Sequence, residues 1–358
     1  MPTVPRSAVK VPPAVKVTVV GPSGGDEHDG GGHPERPARI AAVMQGVSRV
    51  ADALAGELQL LRAEPAGTAA LEKVHSASYV ERVRQLCASG GGHIDPDTFA
   101  RPDSWDAALR SAGAGLQAVE ALAVHGQGVA FVATRPPGHH ALADRGMGFC
   151  LFNNVAVAAA HLVEAGERVA IVDWDVHHGN GTQDIFWDEP RVLYVSTHQS
   201  PLYPGSGAAS EVGGAGAPGL TVNVPLPPGA TGDVLRHAFD EVVAPAVAQF
   251  GPTWLLVSAG FDAHRADPLA DLALSAGDFA DLARESAAYA PRDGRTVLFL
   301  EGGYDLGALT SSVAATLGAL AGLPTTAAGP DDGERPTAGG PGLQAVSDAV
   351  GERARSLG

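Results

Sequence analysis

Cysteine is scarce in this sequence of 358 residues. The two cysteines, Cys87 and Cys150, match neither a disulfide framework nor a zinc site built from cysteine pairs. Aromatic residues are also few, at 5% of the chain, so the core must consist mainly of Ala, Val and Leu. We therefore expect a globular protein of a reducing compartment, the cytoplasm.

Long apolar runs and an excess of positive charge are also missing. No stretch reaches the length of a membrane span, and prolines interrupt the first residues, so we expect neither a signal peptide nor a membrane anchor. The chain has 24 Lys and Arg against 40 Asp and Glu, a net charge of −16. This balance argues against direct binding of nucleic acid and favours a cationic small molecule or a Lys-rich peptide.

Composition divides the chain into a body and two tails. Residues 1–16 are predicted to be a flexible leader, residues 17–322 one folded domain, and residues 323–358 a flexible tail biased toward Pro, Gly, Thr and Asp. The final stretch, LQAVSDAVGERARSLG, could add a short amphipathic helix. No repeat or long linker divides the body.

Five short apolar runs in the body predict buried strands, at residues 128–134, 168–173, 192–197, 253–258 and 296–301. They are continuously apolar rather than alternating, which is typical of strands covered on both faces. Ala-rich helical segments separate several of them, for example those that begin at Asn154 and Val234. The pattern predicts an α/β fold with a parallel sheet and crossover helices.

Polar and reactive side chains follow each of these runs. In chain order, the sequences that follow the runs are RPPGHH, DWDVHHGNG, THQSPLYPGSG, AGFDAH and GGYD. Because ligands of open α/β sheets bind outside the carboxyl ends of the strands, we expect the five loops to meet in one crevice. A single Asp or His at a strand end is usually an ordinary loop residue, but five such ends together indicate a functional site.

A metal site is the first feature that these loops predict. Asp175 and His177 lie two residues apart, so in an extended segment both side chains point to the same side. Asp262, at the end of another strand, is the best candidate for a third ligand. Two carboxylates and a neutral imidazole balance a divalent cation and leave one position open for water and substrate, as in catalytic zinc sites.

A metal-activated water also needs a base, and His139 and His140 supply adjacent imidazoles held by a Pro-Pro-Gly turn. Asp173 could orient one of them by accepting its N–H. Tyr304 follows two glycines, and its hydroxyl could donate to a developing oxyanion. Zinc, base and oxyanion donor together predict hydrolysis of an amide.

These loops and their neighbours resemble a known family. HDGGGHPERPARI, HIDPDTF, RPPGHH, GMGFCLFNNVAVAA, DWDVHHGNGTQDIF, SPLYPGSG, AGFDAHRADPLA and EGGYDL are similar, in order and spacing, to the motifs of the histone deacetylase superfamily. The similarity extends over residues 17–322 and is greatest to the class II and bacterial branch, which includes acetylpolyamine amidohydrolases. It implies the arginase/deacetylase fold, a single domain with a central eight-stranded parallel sheet flanked by helices.

The resemblance also implies a role for each matching residue. It makes Asp175, His177 and Asp262 the zinc ligands, His140 the general base and acid, His139 its electrostatic partner backed by Asp173, and Tyr304 the hydroxyl that polarises the scissile carbonyl. Phe149 and Tyr203 match the walls of an acyl-lysine tunnel, and Gly148 would offer its carbonyl to the substrate N–H. A structural potassium ion is implied at Asp173, Asp175, His177, Ser196 and Thr197. The implied partner is an acetylated lysine side chain or an acetylated small amine.

Three positions depart from relatives in this family. Asn180 stands behind the base histidine where class I enzymes have Asp, which predicts a weaker base. Tyr203 occupies a position that is more usually Phe. Leu269 stands where polyamine-selective relatives can place a Glu, which leans away from polyamines by that route and leaves acidic positions such as Asp97 unassigned.

Several alternatives stay open at this point. Ureohydrolase-like chemistry on a guanidinium substrate would need two manganese ions and more Asp ligands than these loops offer. A catalytically silent module that binds acyl-lysine would be favoured by loss of Tyr304 or of a ligand, and all are present. Iron could replace zinc. His28, His33 and His93 lie in Gly-rich segments and are predicted to be surface or rim histidines; the oligomeric state is not indicated.

Overall fold

The computed structural model describes residues 17–22, 28–54, 56–324 and 334–357. The predicted leader, residues 1–16, lies outside the described residues, as do residues 325–333 of the predicted tail.

A large sheet forms the centre of the described chain. Its strands are β1 (Val17–Gly21), β2 (Leu58–Arg62), β5 (Val129–Val132), β6 (Val169–Asp173), β7 (Val192–Gln199), β8 (Thr221–Leu226), β9 (Trp254–Ala259) and β10 (Thr296–Leu300), and the short strands β3 (Gly92–His93) and β4 (Phe99–Ala100) form a separate antiparallel pair. The order across the sheet is β2-β1-β5-β10-β9-β6-β7-β8, and every neighbouring pair is parallel. The predicted eight-stranded parallel sheet is confirmed.

The five apolar runs of the sequence are the five central strands β5, β10, β9, β6 and β7, which lie side by side. The three strands that the runs did not reveal flank them. In β2, an edge strand, no side chain is fully buried and Leu60 is exposed, so its sequence is only partly apolar. In β8, the opposite edge, Asn223 and Pro225 interrupt the apolar run. β1 has only five residues and follows the proline-rich start of the chain.

Helices cover both faces of the sheet. They are α1 (Ala38–Ala51), α2 (Thr68–Leu71), α3 (Ala77–Ala88), α4 (Ser104–His125), α5 (Asn154–Glu164), α6 (Asn180–Ile185), α7 (Gly232–Ala238), α8 (Ala244–Phe250), α9 (Ala276–Ala288), α10 (Leu306–Leu320) and α11 (Leu343–Ser356), with a π-helical turn, Phe239–Val243, between α7 and α8. The Ala-rich segments that begin at Asn154 and Val234 are helical, as predicted. In the part of the chain that is described, none of the helices combines the length and apolarity needed to cross a membrane.

Two hydrophobic cores lie on opposite faces of the sheet because successive strand residues point to opposite sides. Phe131 and Leu298 belong to the core under α1, α9 and α10, whereas their chain neighbours Val132 and Phe299 belong to the core under α3, α4 and α5. The strands are therefore buried on both faces, which explains their continuously apolar sequences.

The described part of the predicted tail packs on the domain. α11 lies against β8, α7 and the π-helical turn, and it buries Val346 and Ala349. Both residues join the core that contains Val222, Val224 and Leu226 of the edge strand β8, so α11 extends that core at one end of the sheet. Residues 334–357 thus differ from a flexible tail, because a helix with an apolar face can recover the entropy lost on ordering.

Candidate metal centre and active site

Three metal-ligating side chains meet where two adjacent strands end. β6 and β9 are neighbours, and Asp175 and His177 follow β6 while Asp262 follows β9. The ligand atoms of the three side chains lie within 4.8 Å of one another. His177 Nδ1 is 3.1 Å from Asp175 Oδ1 and 3.2 Å from Asp262 Oδ2. The structure therefore brings together the three residues that the sequence singled out as ligands.

Backbone groups hold these carboxylates in place. The Gly302 N–H donates to Asp175 Oδ2 at 2.7 Å, and the Val176 N–H donates to Asp262 Oδ1 at 3.0 Å. A Cβ at Gly302 would lie 1.8 Å from Asp262 Oδ2, so only glycine allows this approach. Asp262 Oδ2 is buried and has no hydrogen-bond partner among the described residues. A buried carboxylate oxygen without a donor, beside an imidazole and a second carboxylate, fits a divalent cation.

The electrostatics of the group agree with that fit. Burial lowers the pKa of His177, but Asp175 and Asp262 outweigh it and raise the pKa to about 10. Burial likewise raises the pKa of Asp175, yet His139 and His177 hold it well below its usual range. Since carboxylates at 0% and 1% exposure need compensation, this pocket favours positive charge.

The two histidines of the Pro-Pro-Gly turn lie next to the metal group and have different partners. His139 Nδ1 is 3.1 Å from Asp173 Oδ2, whereas His140 Nδ1 is 2.8 Å from Asn180 Oδ1. Burial lowers the pKa of His139, but Asp175 and Asp173 raise it overall to about 10. Burial, with His139 and His177 nearby, lowers the pKa of His140 well below its usual value. The carboxylates therefore favour the protonated form of His139, whereas burial favours the neutral form of His140.

Glu301 supports this turn and was not found from the sequence. Its Oε2 accepts the backbone N–H groups of Gly138 at 2.7 Å and His139 at 3.2 Å, and its Oε1 accepts the Ser258 hydroxyl at 3.2 Å. Burial raises the pKa of Glu301 to about 7. Glu301 stands in EGGYD immediately after β10, and its position as an acidic residue at a strand end is the sequence feature that marks it.

Tyr304 follows Gly302 and Gly303 after β10 and lines one cavity with His139, His140 and His177. Its backbone N–H donates to Asp267 Oδ2 at 2.7 Å, and its ring meets Phe149 edge to face with centroids 5.7 Å apart. Burial raises the pKa of its hydroxyl well above the usual value, so the hydroxyl remains a donor. Asp267 was not among the predicted site residues; burial and the nearby Asp262 raise its pKa to about 7.

A buried ion cluster behind Tyr304 was also missed. Glu35 pairs with Arg39 at 3.1 Å and with Arg135, and all three side chains are almost fully buried. Arg39 Nε donates to the Gly303 carbonyl at 2.7 Å. Glu35 and Arg39 are four residues apart in HPERPARI, but Glu35 lies in the segment before α1, so no helical pattern marks the pair.

The remaining predicted tunnel residues line a cavity of about 220 Å³ that opens over the metal group. It is lined by Asp97, Pro137, His139, His140, Gly148, Phe149, His177, Leu202, Tyr203, Leu269, Gly302 and Tyr304. Phe149 takes a left-handed φ of 68°, and Gly148 before it takes a φ of 54°. The Tyr203 ring meets His140 edge to face at 5.2 Å. The Gly148 carbonyl oxygen accepts a hydrogen bond from the Cys150 thiol at 3.3 Å, which leaves one of its two lone pairs for another donor.

The residues implied for potassium stand on β6, on β7 and in the segment that follows β6. β6 and β7 pair Asp173 with Ser196, and the Thr197 hydroxyl is 3.5 Å from the Asp173 carbonyl. Both β7 residues are buried. This cation site stays a prediction.

The three Gly-segment histidines separate into different environments. The expectation that His28 is a surface or rim residue is wrong, because it is 2% exposed, stacks on Phe99 and has Nδ1 2.6 Å from Ser104 Oγ. His33 is half-buried and meets Phe149 edge to face with ring centroids 4.6 Å apart. His93 is exposed in β3. None of the three belongs to the metal group.

Comparison with known proteins agrees with this geometry. Residues 33–320 match the family model for the histone deacetylase domain. The chain belongs to the histone deacetylase family. It is 41% identical over 299 residues to a probable deacetylase of Archaeoglobus fulgidus, a match that covers 82% of this chain and 83% of the relative. It is 40% identical over 276 residues to a histone deacetylase-like amidohydrolase of Pseudomonas aeruginosa, covering 76% and 71% of the two chains.

A solved structure extends the similarity to three dimensions. The crystal structure of the HDA15 HD domain matches with a TM-score of 0.80 and 34% identity, and the match covers 92% of this chain and 94% of that one. The predicted arginase/deacetylase fold is confirmed. Family membership makes this protein a deacetylase-type amidohydrolase, and members of the family typically use a metal ion.

Proposed function

We propose that this protein is a zinc-dependent deacylase that hydrolyses the amide of an acetylated or short-acylated lysine side chain. The observation that carries the proposal is one cavity that joins a buried Asp-His-Asp group, a neutral His140 and the Tyr304 hydroxyl. Zinc at Asp175, His177 and Asp262 would act as a Lewis acid toward the substrate carbonyl and the attacking water. We also propose that a potassium ion binds near Asp173 and Ser196 and has a structural role.

His140 is suited to take the proton of the attacking water. Asn180 Oδ1 is an acceptor, so His140 Nδ1 carries the hydrogen and Nε2 keeps a lone pair. Asn180 Nδ2 faces Met147 Sδ at 3.4 Å, which fits this orientation of the amide. The low pKa of His140 keeps the ring neutral at neutral pH and makes its protonated form a strong acid. The same nitrogen can then return the proton to the departing amine.

The other residues stabilise charge and orient the substrate. His139, held protonated by Asp173 and Asp175, adds positive potential next to the reacting carbonyl. The Tyr304 hydroxyl, which keeps its proton, can donate to the oxygen that becomes negative. Phe149 and Tyr203 offer apolar walls to the methylene stem of a lysine, and they exclude water from the reacting atoms.

An acetylpolyamine is the alternative substrate. Asp97 lines the cavity mouth and is exposed, so its carboxylate could meet a second ammonium group, and the net charge of −16 favours any cationic substrate. Leu269, at the same mouth, offers no charge for this purpose.

The acidic balance also argues against nucleic acid as a partner, and two buried unpaired cysteines fit a cytoplasmic location.

Two further readings are less well supported. Ureohydrolase chemistry requires a second metal, and within the described ranges Asp175, His177 and Asp262 form the single group able to hold one. A silent binding module would not need a neutral base and an oxyanion donor in one cavity.

The test is hydrolysis of an acetyl-lysine peptide and of acetylputrescine by the zinc-loaded enzyme, with a chelator-treated control. Faster turnover of the peptide supports the proposal, and faster turnover of acetylputrescine supports the alternative. Tyr304→Phe should bind the peptide but lose about 10² to 10³ in kcat. Unchanged turnover in that variant, or no chelator-sensitive activity on either substrate, would reject the catalytic assignment.

A further inference from the structure

A segment near the C-terminus returns to the loop that carries a predicted metal ligand. We call residues 334–342 the C-terminal strap. Glu334 Oε2 lies 2.7 Å from His264 Nε2 and accepts the Ala276 N–H at 2.8 Å, and Glu334 Oε1 accepts from Arg265 Nη2 at 2.9 Å. His264 is two residues beyond Asp262 in the chain. The strap is therefore bonded to the loop after β9 through a side chain two positions after a predicted ligand.

The hydrogen bonds of His264 define its tautomer. The Ala266 N–H donates to His264 Nδ1 at 3.1 Å, so this nitrogen holds a lone pair. Nε2 must then carry the hydrogen and donate it to the Glu334 carboxylate. Because the ring is only 3% exposed, Glu334 is the partner that fixes its orientation in place of water.

The turn that contains His264 leads to the backbone of the loop that carries Tyr304. The Asp267 N–H donates to the His264 carbonyl at 2.8 Å, which closes the turn. The Asp267 carboxylate then accepts N–H groups from Tyr304 at 2.7 Å and from Leu269 at 3.0 Å. A series of partly buried hydrogen bonds thus connects the strap with the loop of the proposed oxyanion donor.

We propose that Glu334 is a positioning residue of the active site, which acts through His264 to set the loop that carries Asp262 and Asp267. The inference rests on the proposed function. It predicts that the strap contributes to metal affinity and to turnover, and not only to the stability of the domain.

The rest of the strap provides a matched control. Thr337 Oγ1 donates to Asp278 Oδ2 at 2.8 Å, and the Gly232 N–H donates to Thr337 Oγ1 at 2.8 Å. These contacts fasten the strap to α7 and α9 and do not touch the loop after β9. Loss of the Thr337 hydroxyl therefore weakens the same strap without removing the bond to His264.

The experiment compares full-length E334A, E334Q and T337A with the wild type. Each protein is stripped of metal and titrated with Co²⁺, its melting temperature is measured, and kcat and KM are determined after zinc loading. E334A should lower Co²⁺ affinity and kcat by about 10-fold, with KM changed less than about twofold. E334Q should retain both values, because its amide oxygen can still accept from His264 and from the Ala276 N–H. T337A should lower the melting temperature with kcat near that of the wild type.

Two results would overturn the proposal. One is an equal loss of kcat in E334A and T337A at an equal loss of melting temperature, which would make the strap purely structural. The other is an equal loss of Co²⁺ affinity and kcat in E334Q and E334A. That result would show that the hydrogen bond to His264 is not the cause of the loss. If the wild type hydrolyses neither acylated substrate, the proposed function fails, and the Co²⁺ titrations still decide whether Glu334 sets the metal group.

Discussion

Arg39 lies over the face of Tyr304, with its guanidinium carbon 4.8 Å from the centroid of the ring. The same guanidinium donates to the carbonyl oxygens of Gly303 at 2.7 Å and Glu301 at 2.5 Å. One buried side chain on α1 therefore holds both the ring of the proposed oxyanion donor and the backbone that precedes it. The cation also meets the electron-rich face of the ring, a favourable contact when water is excluded.

Because of these contacts, turnover should depend on the shape of the Arg39 side chain as well as on its charge. Arg39→Lys keeps the charge but cannot reach two carbonyls in fixed directions, so we expect kcat to fall by about 10-fold. KM should change little, since Arg39 does not line the cavity. Steady-state kinetics on an acetyl-lysine peptide, with Arg49→Lys on the same helix as the control, would check this. Wild-type kcat in Arg39→Lys would contradict it.

Asn180 should set the pH range of the base. In Asn180→Asp a carboxylate faces His140 Nδ1, so the pKa of the ring rises. A higher pKa means that the ring becomes neutral only at higher pH, and the acidic limb of the kcat/KM profile should move upward. Asn180→Ala removes the hydrogen bond without adding charge and is the control. The assignment of His140 as base fails if the kcat/KM profiles of Asn180→Asp and the wild type have the same acidic limb.

Asp262 should decide the affinity for metal. Asp262→Asn keeps the side-chain shape and the acceptor for the Val176 N–H, but it removes the charge of a ligand without a donor. We expect zinc affinity to fall by at least about 100-fold, beyond the loss typical of groups that only support a ligand. Competition with a chromogenic chelator measures this. Asp271→Asn, in the same region of the chain but outside the metal group, should bind zinc like the wild type.

Glu35 should contribute to stability in a defined pH window. Burial raises the pKa of Glu35, but Arg135 and Arg39 outweigh it and lower the pKa from 4.5 to about 2. A folded-state pKa below the unfolded value adds stability that is complete above pH 4.5 and is lost as the pH falls toward 2. The effect is on the order of a few kcal/mol in the free energy of unfolding.

The variant Glu35→Gln isolates this contribution. At pH 7 it should be less stable by about 3 to 5 kcal/mol, because Arg39 and Arg135 lose a carboxylate. Below pH 4.5 the difference from the wild type should shrink, since the wild-type carboxyl becomes neutral too. Urea unfolding of both proteins from pH 7 to 3 measures the two curves. If the free energies of unfolding of the two proteins change in parallel over this range, the ionised Glu35 does not cause the pH dependence of stability.

The sequence predicted the central part of the fold because burial on both faces leaves a clear pattern. β5, β6, β7, β9 and β10 read as unbroken apolar runs. β2 and β8 lie at the edges, where side chains such as Leu60 and Pro225 escape that constraint. The sequence also predicted a short helix at α11, but its apolar face, Val346 and Ala349, is narrow, so its packing on the domain was not foreseen.

The sequence by itself determined which candidate residues stand at the strand ends. Asp175, His177, Asp262, His139, His140 and Tyr304 stand in short motifs, so residue type and spacing identified them, and the structure places them in one region. Only the tertiary structure revealed Glu35, Arg39, Asp267, Glu301 and Glu334. Their partners are 4 to 264 positions away along the chain, and most of their bonds are to backbone groups, which no side-chain pattern records. Folding alone decides which N–H groups and carbonyls face these side chains, and burial then makes each such bond costly to lose.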